Sequence, residues 1–349
     1  MLCHFSLTLG ARIMMSTRKA VIRTFASLAV FASIAVASSQ VAQAAPKMVI
    51  GTVVWIGYGP FYVADAKGFF KKYGLDAKLQ NFNDPAVIPS AIASGAVDGG
   101  MLTYDQVIGT DAKGLGLQVV MPIDYSNGAD AIVAKRDITT VSQFKGQKIG
   151  YNPLSPSDFL LTYALMKNGM GEKDVQSVSM TPESVPAAMA SGGIPIGVTY
   201  EPSLSQIVAM DDGKKFHVVF SSKDAPGLIT DVLVYNKSYI QKHPAEVKAT
   251  IEAYLEGLAY MKSHPEETDA LIGKAMGISA KDVKDQMSGV FNIPLDGMVK
   301  SFTKSTSTTS FYGSGPVIGK VLMGKKQITA VPPIENTFDA SFVMALSKK

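Results

Sequence analysis

Cysteine is almost absent from this sequence of 349 residues, because the only one is Cys3. From residue 45 onward the chain therefore forms no disulfide, and no cysteine can act there as a nucleophile or a metal ligand. A chain of this length that is 47% hydrophobic can bury a core large enough to fold without disulfides. It is also long enough for two domains.

Histidine is scarce as well. After residue 44, His217 lies in an apolar strand pattern, and His243 and His264 directly precede proline. None has a metal-ligand spacing with another histidine or a cysteine. The sequence also lacks a dinucleotide-binding glycine fingerprint, a phosphate-binding Gly-Lys-Ser/Thr loop and a Gly-x-Ser-x-Gly nucleophile elbow. We therefore predict a protein that is not an enzyme, with no catalytic residue, no metal and no cofactor.

Arginine is nearly missing from the same region, where Arg136 stands alone beside 28 lysines. Proteins usually capture a sulfonate, phosphate or carboxylate in bidentate fashion with arginine. Its scarcity weakens the case for an anionic ligand. Helix N-termini can hold an oxyanion without arginine, so an anion remains the alternative.

Residues 1–44 have the features of an export signal. A basic patch around Arg18 precedes an uncharged run from Thr24 to Ser39, and Ala42-Gln43-Ala44 is a small-x-small cleavage site. The uncharged run is shorter than the roughly 18–20 residues that span a bilayer. We expect cleavage after Ala44 and export to the periplasm.

The basic excess of the sequence belongs to this leader. Residues 1–44 carry four basic side chains and no acidic one, whereas the whole chain carries 33 basic and 29 acidic residues. The remainder therefore has 29 of each and a net charge of zero. A neutral balance gives no indication of a nucleic-acid partner.

The most informative stretch follows the leader. Met48 to Val54 is an apolar, β-branched run that predicts a buried strand, and Trp55 to Gly59 interrupts it with two glycines around an aromatic residue. Pro60 then begins a helical pattern. This order places the loop at the carboxyl edge of an α/β sheet, where such folds bind ligands. We interpret the only tryptophan as a ligand wall; the alternative is that it fills the core.

Strand and helix patterns alternate as β-α-β-α-β-α-β up to Ile123, which predicts a mainly parallel sheet. A turn-rich break over residues 125–130 and a strand over 131–135 follow. The alternation restarts at Gln147 and continues to Phe220. Two successive α/β units indicate two lobes.

The rest of the chain is predicted to be largely helical after a strand over residues 231–236. The clearest helix covers 244–262, and two more are expected near 316–323 and 339–347. The Ser-, Thr- and Gly-rich stretch 301–315 is predicted to be a mobile loop.

A short internal repeat supports two similar lobes. Ala93-Ser94-Gly95 precedes a strand that ends in Thr103-Tyr104-Asp105, and Ala190-Ser191-Gly192 precedes one that ends in Thr199-Tyr200-Glu201. Chance resemblance of such short strings is the alternative. Each copy places Thr-Tyr-acid where a strand gives way to a helix, so two facing lobes would present both copies to one cleft.

Aromatic and acidic side chains concentrate near the predicted strand ends and helix starts. They are Trp55, Tyr58, Tyr104, Tyr151 and Tyr200, with Asp130, Asp158, Glu201 and Asp231. Aromatic walls with carboxylates suit a cationic or nitrogen-rich ligand, through cation–π contact and accepted hydrogen bonds. Taken singly, Asp158 could instead be a helix first-turn residue, and Asp130 a turn residue.

Several segments together resemble one family. They are Trp55 to Tyr62, Ala66 to Leu75, Ala91 to Asp98, Ser126 to Asp130, Tyr200-Glu201-Pro202 and the helix from Pro244. They are similar to the periplasmic solute-binding proteins of ABC importers, in the branch with nitrate-, taurine-, alkanesulfonate- and thiamine-precursor-binding members. The resemblance covers nearly the whole chain after the leader. Ile194-Pro195-Ile196 departs from the family, which usually has a small residue followed by Val-Asp-Ala there.

The resemblance implies a type II periplasmic binding protein fold. This fold has two α/β lobes, each a mainly parallel sheet flanked by helices, joined by two crossing hinge strands. The first lobe would comprise residues 45–134 and 231–349, and the second residues 135–230. A solute would bind between the lobes, and the ABC permease with its ATPase subunits would read their closure. We expect a monomer.

The resemblance also implies the ligand-binding residues. They are Trp55, Gly57, Tyr58, Thr103 and Tyr104 in the first lobe, Ser126, Asn127 and Asp130 near the hinge, and Tyr151, Ser155, Asp158 and Glu201 in the second lobe. We favour a nitrogenous solute, which could be an amine, an amide or ureide, or a pyrimidine-like heterocycle. One alternative is a sulfonate- or nitrate-type anion. Another is an enzyme similar to pyrimidine-precursor synthases, which resemble this chain in architecture but depend on histidines and a cysteine-rich segment.

Overall fold

The structure is a computed structural model that describes residues 45–348. The export signal and cleavage site predicted for residues 1–44 lie outside the described residues. No helix in the described part of the chain is long and apolar enough to cross a membrane.

Strands and helices alternate through most of the described chain. The strands are β1 (Lys47–Thr52), β2 (Asp76–Asn81), β3 (Gly99–Thr103), β4 (Leu117–Ser126), β5 (Asp130–Lys135), β6 (Lys148–Tyr151), β7 (Gln176–Ser179), β8 (Ile196–Tyr200), β9 (Phe216–Ser221), β10 (Thr230–Asn236) and β11 (Val290–Asn292). The α-helices are α1 (Gly59–Ala66), α2 (Phe69–Lys72), α3 (Ile88–Ser94), α4 (Tyr104–Asp111), α5 (Pro156–Lys167), α6 (Val185–Ala190), α7 (Ser203–Val208), α8 (Lys237–Lys242), α9 (Pro244–Ser263), α10 (Pro265–Met276), α11 (Ala280–Met287), α12 (Leu295–Ser301), α13 (Phe311–Gly324) and α14 (Ser341–Leu346).

The strands form two sheets. The six-stranded sheet has the order β11-β4-β10-β3-β1-β2, with β1 parallel to β2 and β3, and with β10 antiparallel to both β3 and β4. The five-stranded sheet has the order β7-β6-β8-β5-β9, with β6 parallel to β7 and β8, and with β5 antiparallel to β8 and β9. The predicted α/β class is confirmed. Each sheet is mixed, because the strands that lead the chain between the sheets pair antiparallel with their neighbours.

The chain passes between the two sheets twice, through residues 127–129 and 222–229. These segments touch, since the Ser126 and Ser222 hydroxyls lie 2.8 Å apart and the Gly128 N–H donates to Ser222 Oγ at 2.6 Å. Gly128 has a φ of +115°, a conformation that favours glycine. The sequence predicted a strand that ends at Ile123 and then a turn. The strand β4 instead runs on to Ser126, so the break is shorter than expected.

Two other predictions differ from the structure, and one strand was not predicted. The helical pattern that begins at Pro60 predicts one helix up to Tyr73, but the structure divides it into α1 and α2 at Gly68, whose φ is +73°. The loop expected over residues 301–315 is wrong at both ends, because Ser301 is the last residue of α12 and residues 311–315 belong to α13. Ser310 caps that helix by accepting from the Tyr312 N–H, and Phe311 is buried. Strand β11 was not expected, because its three residues carry too little pattern to identify.

Helix α9 fixes the position of α1, which directly follows the loop that carries Trp55. The two helices approach most closely at Gly257, where a side chain would collide with the backbone carbonyl of Pro60. Val247, Ile251 and Tyr254 are buried on the same helix. The close approach therefore requires a residue without a side chain at position 257.

We expect Gly257→Ala to lower the free energy of unfolding by roughly 1–3 kcal/mol, because the added methyl group forces the two backbones apart. The matched control is Gly109→Ala in α4, where the nearest atom to an added methyl would be Leu322 Cδ1 at 3.8 Å. That variant should be stabilised by up to about 1 kcal/mol, since alanine favours helix. Urea unfolding measures both. Equal stability of the two variants would contradict the close packing.

Candidate functional site

A small cavity lies between the two sheets. The carboxyl ends of β1, β3 and β8 and the amino ends of the antiparallel strands β5 and β10 meet there. Its volume is about 20 Å³, which is room for about one water molecule. The lining residues are Val53, Trp55, Tyr58, Pro85, Met101, Leu102, Thr103, Gln106, Asp130, Pro156, Tyr200, Ile229 and Asp231. We call this space the central cavity.

Trp55 forms one wall of the central cavity and meets an aromatic residue from the other sheet. Its ring lies edge-on to that of Tyr200, with centroids 5.7 Å apart. The indole N–H donates to Asp124, at 3.3 Å from each carboxylate oxygen. Gly57 makes this arrangement sterically possible, because a side chain there would collide with the indole and with the Asp124 carboxylate. The glycine in the loop therefore positions the tryptophan.

Carboxylates are concentrated around the central cavity. Asp130 and Asp231 line it, and Asp124 lies behind Trp55; all three are buried. The Tyr58 hydroxyl donates to Asp231 Oδ1 at 2.6 Å. Among the described residues that line the cavity, none is lysine, arginine or histidine. The site therefore has acidic groups and hydrogen-bond acceptors, without a basic side chain to neutralise them.

Burial without a basic partner raises the pKa values of these carboxyl groups. Burial is the largest cause for Asp130, whose pKa is raised to about 7, and neighbouring acids add to the effect. Burial likewise raises the pKa values of Asp124 and Asp231 well above the ordinary range, and each also feels the charge of other buried acids. A bound cation would favour the ionised form of all three.

The structure places some of the predicted residues elsewhere. Tyr104 points away from the central cavity, since its hydroxyl lies 2.8 Å from Thr337 Oγ1 and its ring centroid lies 4.3 Å from that of Phe311. Ser126 belongs to the crossing between the sheets. The Asn127 N–H donates to the Gly289 carbonyl at 2.8 Å, and its side chain is exposed. The Glu201 carboxylate accepts from Ser205, through the backbone N–H at 3.0 Å and the hydroxyl at 2.8 Å.

The remaining three predicted residues lie near the start of α5. Asp158 is buried, accepts from the Leu154 N–H at 2.9 Å and from Gln327 Nε2 at 3.0 Å, and forms an ion pair with Lys325. The Ser155 hydroxyl caps α5 by accepting from the Ser157 N–H at 3.2 Å. The Tyr151 hydroxyl donates to Glu172 at 3.0 Å, and the Lys325 ammonium lies 5.4 Å from the centre of the Tyr151 ring.

A second cavity, of about 190 Å³, lies beside the central one, among helices α3, α4, α5 and α13. Ser155 and Asp158 line it, and Gln106 lines both cavities. We call this space the side cavity. Of the predicted residues, Trp55, Tyr58, Thr103 and Asp130 therefore meet at the central cavity, whereas Ser155 and Asp158 belong to the side cavity.

Sequence reasoning missed three residues that shape these cavities. Asp124 lies within a strand, and only its pairing with β10 places it behind Trp55. Gln106 has one signal in the sequence, because it lies three residues after Thr103, at position N3 of the capping box that Thr103 begins. Lys325 is 167 positions from Asp158, and no local pattern connects them. In the part of the chain that the structure describes, no group of three or more His, Cys, Asp or Glu side chains could hold a metal ion.

We expect Lys325→Met to lower the free energy of unfolding by roughly 3–5 kcal/mol, because Asp158 would stay buried without its cation. Adding Asp158→Asn should restore part of the loss. The control is Lys300→Met, which breaks an exposed pair with Asp296 and should cost less than about 1 kcal/mol. Urea unfolding compares the variants. If Lys325→Met were as stable as the control, the pair would contribute no more than a surface one.

We expect the ligand-free protein to lose stability as the pH rises from about 4 to about 7. The unfolded chain ionises Asp130 near pH 4, whereas the folded protein holds its proton up to a pKa of about 7, so unfolding releases a proton in this range. Each pKa unit is worth about 1.4 kcal/mol. Asp130→Asn should flatten the pH dependence measured by urea unfolding, and the exposed-site control Asp137→Asn should not. A pH dependence that Asp130→Asn leaves unchanged or makes steeper would show that the Asp130 carboxyl group is not the source.

Comparison with known proteins identifies the family of this chain and several proteins that are similar to it. The model of a family described as NMT1/THI5 like matches residues 55–268. The taurine-binding periplasmic protein of Escherichia coli is 25% identical over 242 residues, which cover 66% of this chain and 73% of that protein. The crystal structure of the periplasmic aliphatic sulphonate binding protein SsuA from Escherichia coli has a TM-score of 0.68 at 18% identity, covering 86% of this chain and 99% of that one.

A third similar protein is the ligand binding component of an ABC-type import system from Staphylococcus aureus. Its TM-score is 0.69 at 14% identity, over 87% of this chain and all of that one. These similarities confirm the predicted resemblance and the two-lobed fold. The protein is a periplasmic solute-binding protein and not an enzyme. Because the family model matches more than half of its residues, the chain belongs to the NMT1/THI5-like family.

Proposed function

We propose that the protein captures a small cationic or nitrogen-rich solute in the central cavity and delivers it to an ABC permease. The observation that carries this proposal is the pair of buried carboxylates Asp130 and Asp231 beside Trp55, Tyr58 and Tyr200, with no basic side chain among the described lining residues. Aromatic faces attract cations, and buried carboxylates accept hydrogen bonds from N–H groups. An amine, an amide or ureide, and a pyrimidine-like heterocycle all present such donors.

An anionic solute is the second candidate, and one observation favours it. Thr103 and Pro156, which line the central cavity, lie at the N-termini of α4 and α5. Helix N-termini stabilise negative charge. The relative from Escherichia coli is named for taurine, which carries an ammonium group and a sulfonate group. An anion would keep these buried acids in their neutral form, whereas a positively charged nitrogen would favour their ionised form and be attracted to it. We therefore favour a solute whose positively charged nitrogen faces Asp130 and Asp231.

We propose that the solute enters when the lobes move apart. The central cavity is about 20 Å³, so any solute much larger than water requires the two sheets to separate around it. Residues 127–129 and 222–229 would serve as the hinge. The lobe boundaries that we propose are 45–134 with 231–349 for the first lobe and 135–230 for the second. Closure around the solute would be the state that the permease recognises.

We further propose how each predicted residue acts. The solute would contact Trp55, Tyr58, Thr103 and Asp130. Gly57 would position the wall formed by Trp55, and Ser126 would position the hinge. Tyr104, Asn127, Tyr151, Ser155, Asp158 and Glu201 would support the surrounding structure. The protein would be exported with cleavage after Ala44 and would act as a monomer beside the permease and its ATPase subunits.

Isothermal titration at pH 8 with ethylammonium, taurine and ethanesulfonate tests the proposal, because the three share a two-carbon body and differ in their charged groups. We expect ethylammonium and taurine to bind and ethanesulfonate not to bind. Asp231→Asn should weaken the amines roughly 10–100-fold, as expected for a hydrogen bond to a charged group.

The matched control for this titration is Asp296→Asn, at an exposed acid on α12 that does not line the central cavity. It should leave all three affinities unchanged. Binding of ethanesulfonate without ethylammonium, or amine binding that Asp231→Asn does not weaken, would overturn the proposal and favour the anionic alternative.

A further inference from the structure

The side cavity has its own buried acid. Asp105 lines this cavity, only 5% of the residue is exposed, and its Oδ1 atom has no hydrogen-bond partner among the described residues. Burial is the main cause that raises the pKa of Asp105 to about 6. The other buried acid in the cavity, Asp158, already has Lys325 as its cation. Lys113 also lines the cavity, but no ion pair joins it to Asp105 in the described structure, so Asp105 is the carboxyl group there that a bound cation could neutralise.

Apolar side chains form much of the remaining wall. Phe159 on α5 and Val321 and Leu322 on α13 face this space, together with Pro89 on α3. Its volume of about 190 Å³ exceeds that of the central cavity by far. Of the two carboxyl groups in this cavity, only that of Asp105 lacks a paired cation among the described residues, and the apolar walls beside it suit a methylene chain that ends in a charged nitrogen.

The side chain of Gln106 separates the side cavity from the central cavity, since it lines both. Its Oε1 accepts from the Thr103 N–H at 3.2 Å, and its Nε2 donates to the carbonyls of Pro85 and Leu154, each at 3.2 Å. Leu154 lies in the loop before α5, on the side of the five-stranded sheet. If the sheets separate as proposed, the hydrogen bond to Leu154 would break, and the amide group of Gln106 would become free to rotate.

We propose that the two cavities are the two ends of one cleft for an elongated solute with a positively charged nitrogen at each end, such as a linear diamine. One ammonium group would lie against Asp130 and Asp231 in the aromatic central cavity. The other would lie against Asp105, and the methylene chain would pass the position of Gln106. This inference rests on the proposed function and narrows its ligand class.

Charge and hydrogen bonding both support two nitrogen sites. A buried carboxylate without a cation or a full set of hydrogen bonds is costly, and such groups occur in both compartments. One ammonium group can neutralise the acids of one compartment only, because the Gln106 side chain stands between them. A solute with two ammonium groups can satisfy both compartments at once.

The experiment is isothermal titration at pH 8 with n-butylamine and with linear diamines of three to eight carbons. We expect at least one diamine to bind ten-fold or more tightly than n-butylamine, with an optimum chain length set by the separation of the two compartments. Asp105→Asn, which keeps the shape of the side chain, should bring the affinity ratio of the best diamine to the monoamine down to about one. The control Asp111→Asn, at a half-buried acid on the same helix and outside both cavities, should leave that ratio unchanged.

A second variant tests the same inference in case Asp105→Asn does not fold. Thr162→Phe, at a partly exposed position of α5 that lines the side cavity, should fill that space and abolish the same advantage. If n-butylamine binds and no diamine exceeds it three-fold, or if the diamine advantage survives Asp105→Asn, this inference fails and the proposed function stands. If neither kind of amine binds and ethanesulfonate does, the proposed function fails and this inference fails with it.

Discussion

The burial of acidic side chains without a matching cation is the constraint on which the rest of the structure depends. Asp105, Asp124, Asp130 and Asp231 are all buried, and burial raises the pKa of each. A chain that evolved for stability alone would replace them with apolar groups, because buried unpaired charges are costly. Residues that lower the stability of a protein are commonly retained because its function needs them. A cationic solute would therefore supply, on binding, the positive charge that these buried acids lack.

Strand pairing explains why these carboxylates meet. In the six-stranded sheet, antiparallel β10 lies between β3 and β4, and its register places Asp231 opposite both Thr103 and Asp124. In the other sheet, the pairing of β5 with β8 places Asp130 opposite Tyr200. A one-residue slip in either register would turn these side chains to the opposite face. The acidic site is therefore a consequence of how the crossing strands insert into each sheet.

Local sequence patterns predicted which residues lie where a strand ends and a helix begins, and therefore part of the site. The strand, glycine loop and helix start around Trp55 gave its position at a sheet edge, and the same logic found Tyr58, Thr103 and Asp130. The pattern also placed Tyr104 at the start of a helix. It could not show that the ring turns toward Phe311, since that contact depends on α13, some two hundred residues away in the chain. The Ser- and Thr-rich composition before Phe311 likewise concealed a helix start.

Long-range partners account for the rest of what the sequence did not reveal. The sequence indicated that Asp158 could lie in the first turn of a helix, and it does lie in the first turn of α5, where its charge is favourable. Its ion pair with Lys325 and its hydrogen bond with Gln327 depend on the packing of α13 against α5. Propensity and periodicity describe neighbours within one element, so contacts between elements lie beyond them.

The loop before α5 shows how polar contacts can hold two lobes together while still letting them part. Leu154 adopts a φ of +60°, a left-handed conformation that costs a branched residue about 1–2 kcal/mol. Its N–H is held by Asp158 and its carbonyl by Gln106, so hydrogen bonds offset the strain. Water can replace such hydrogen bonds at modest net cost when the lobes separate, whereas an extensive apolar interface would resist opening. A strained backbone held by exchangeable polar contacts therefore suits a protein that must open to take up its solute and again to release it.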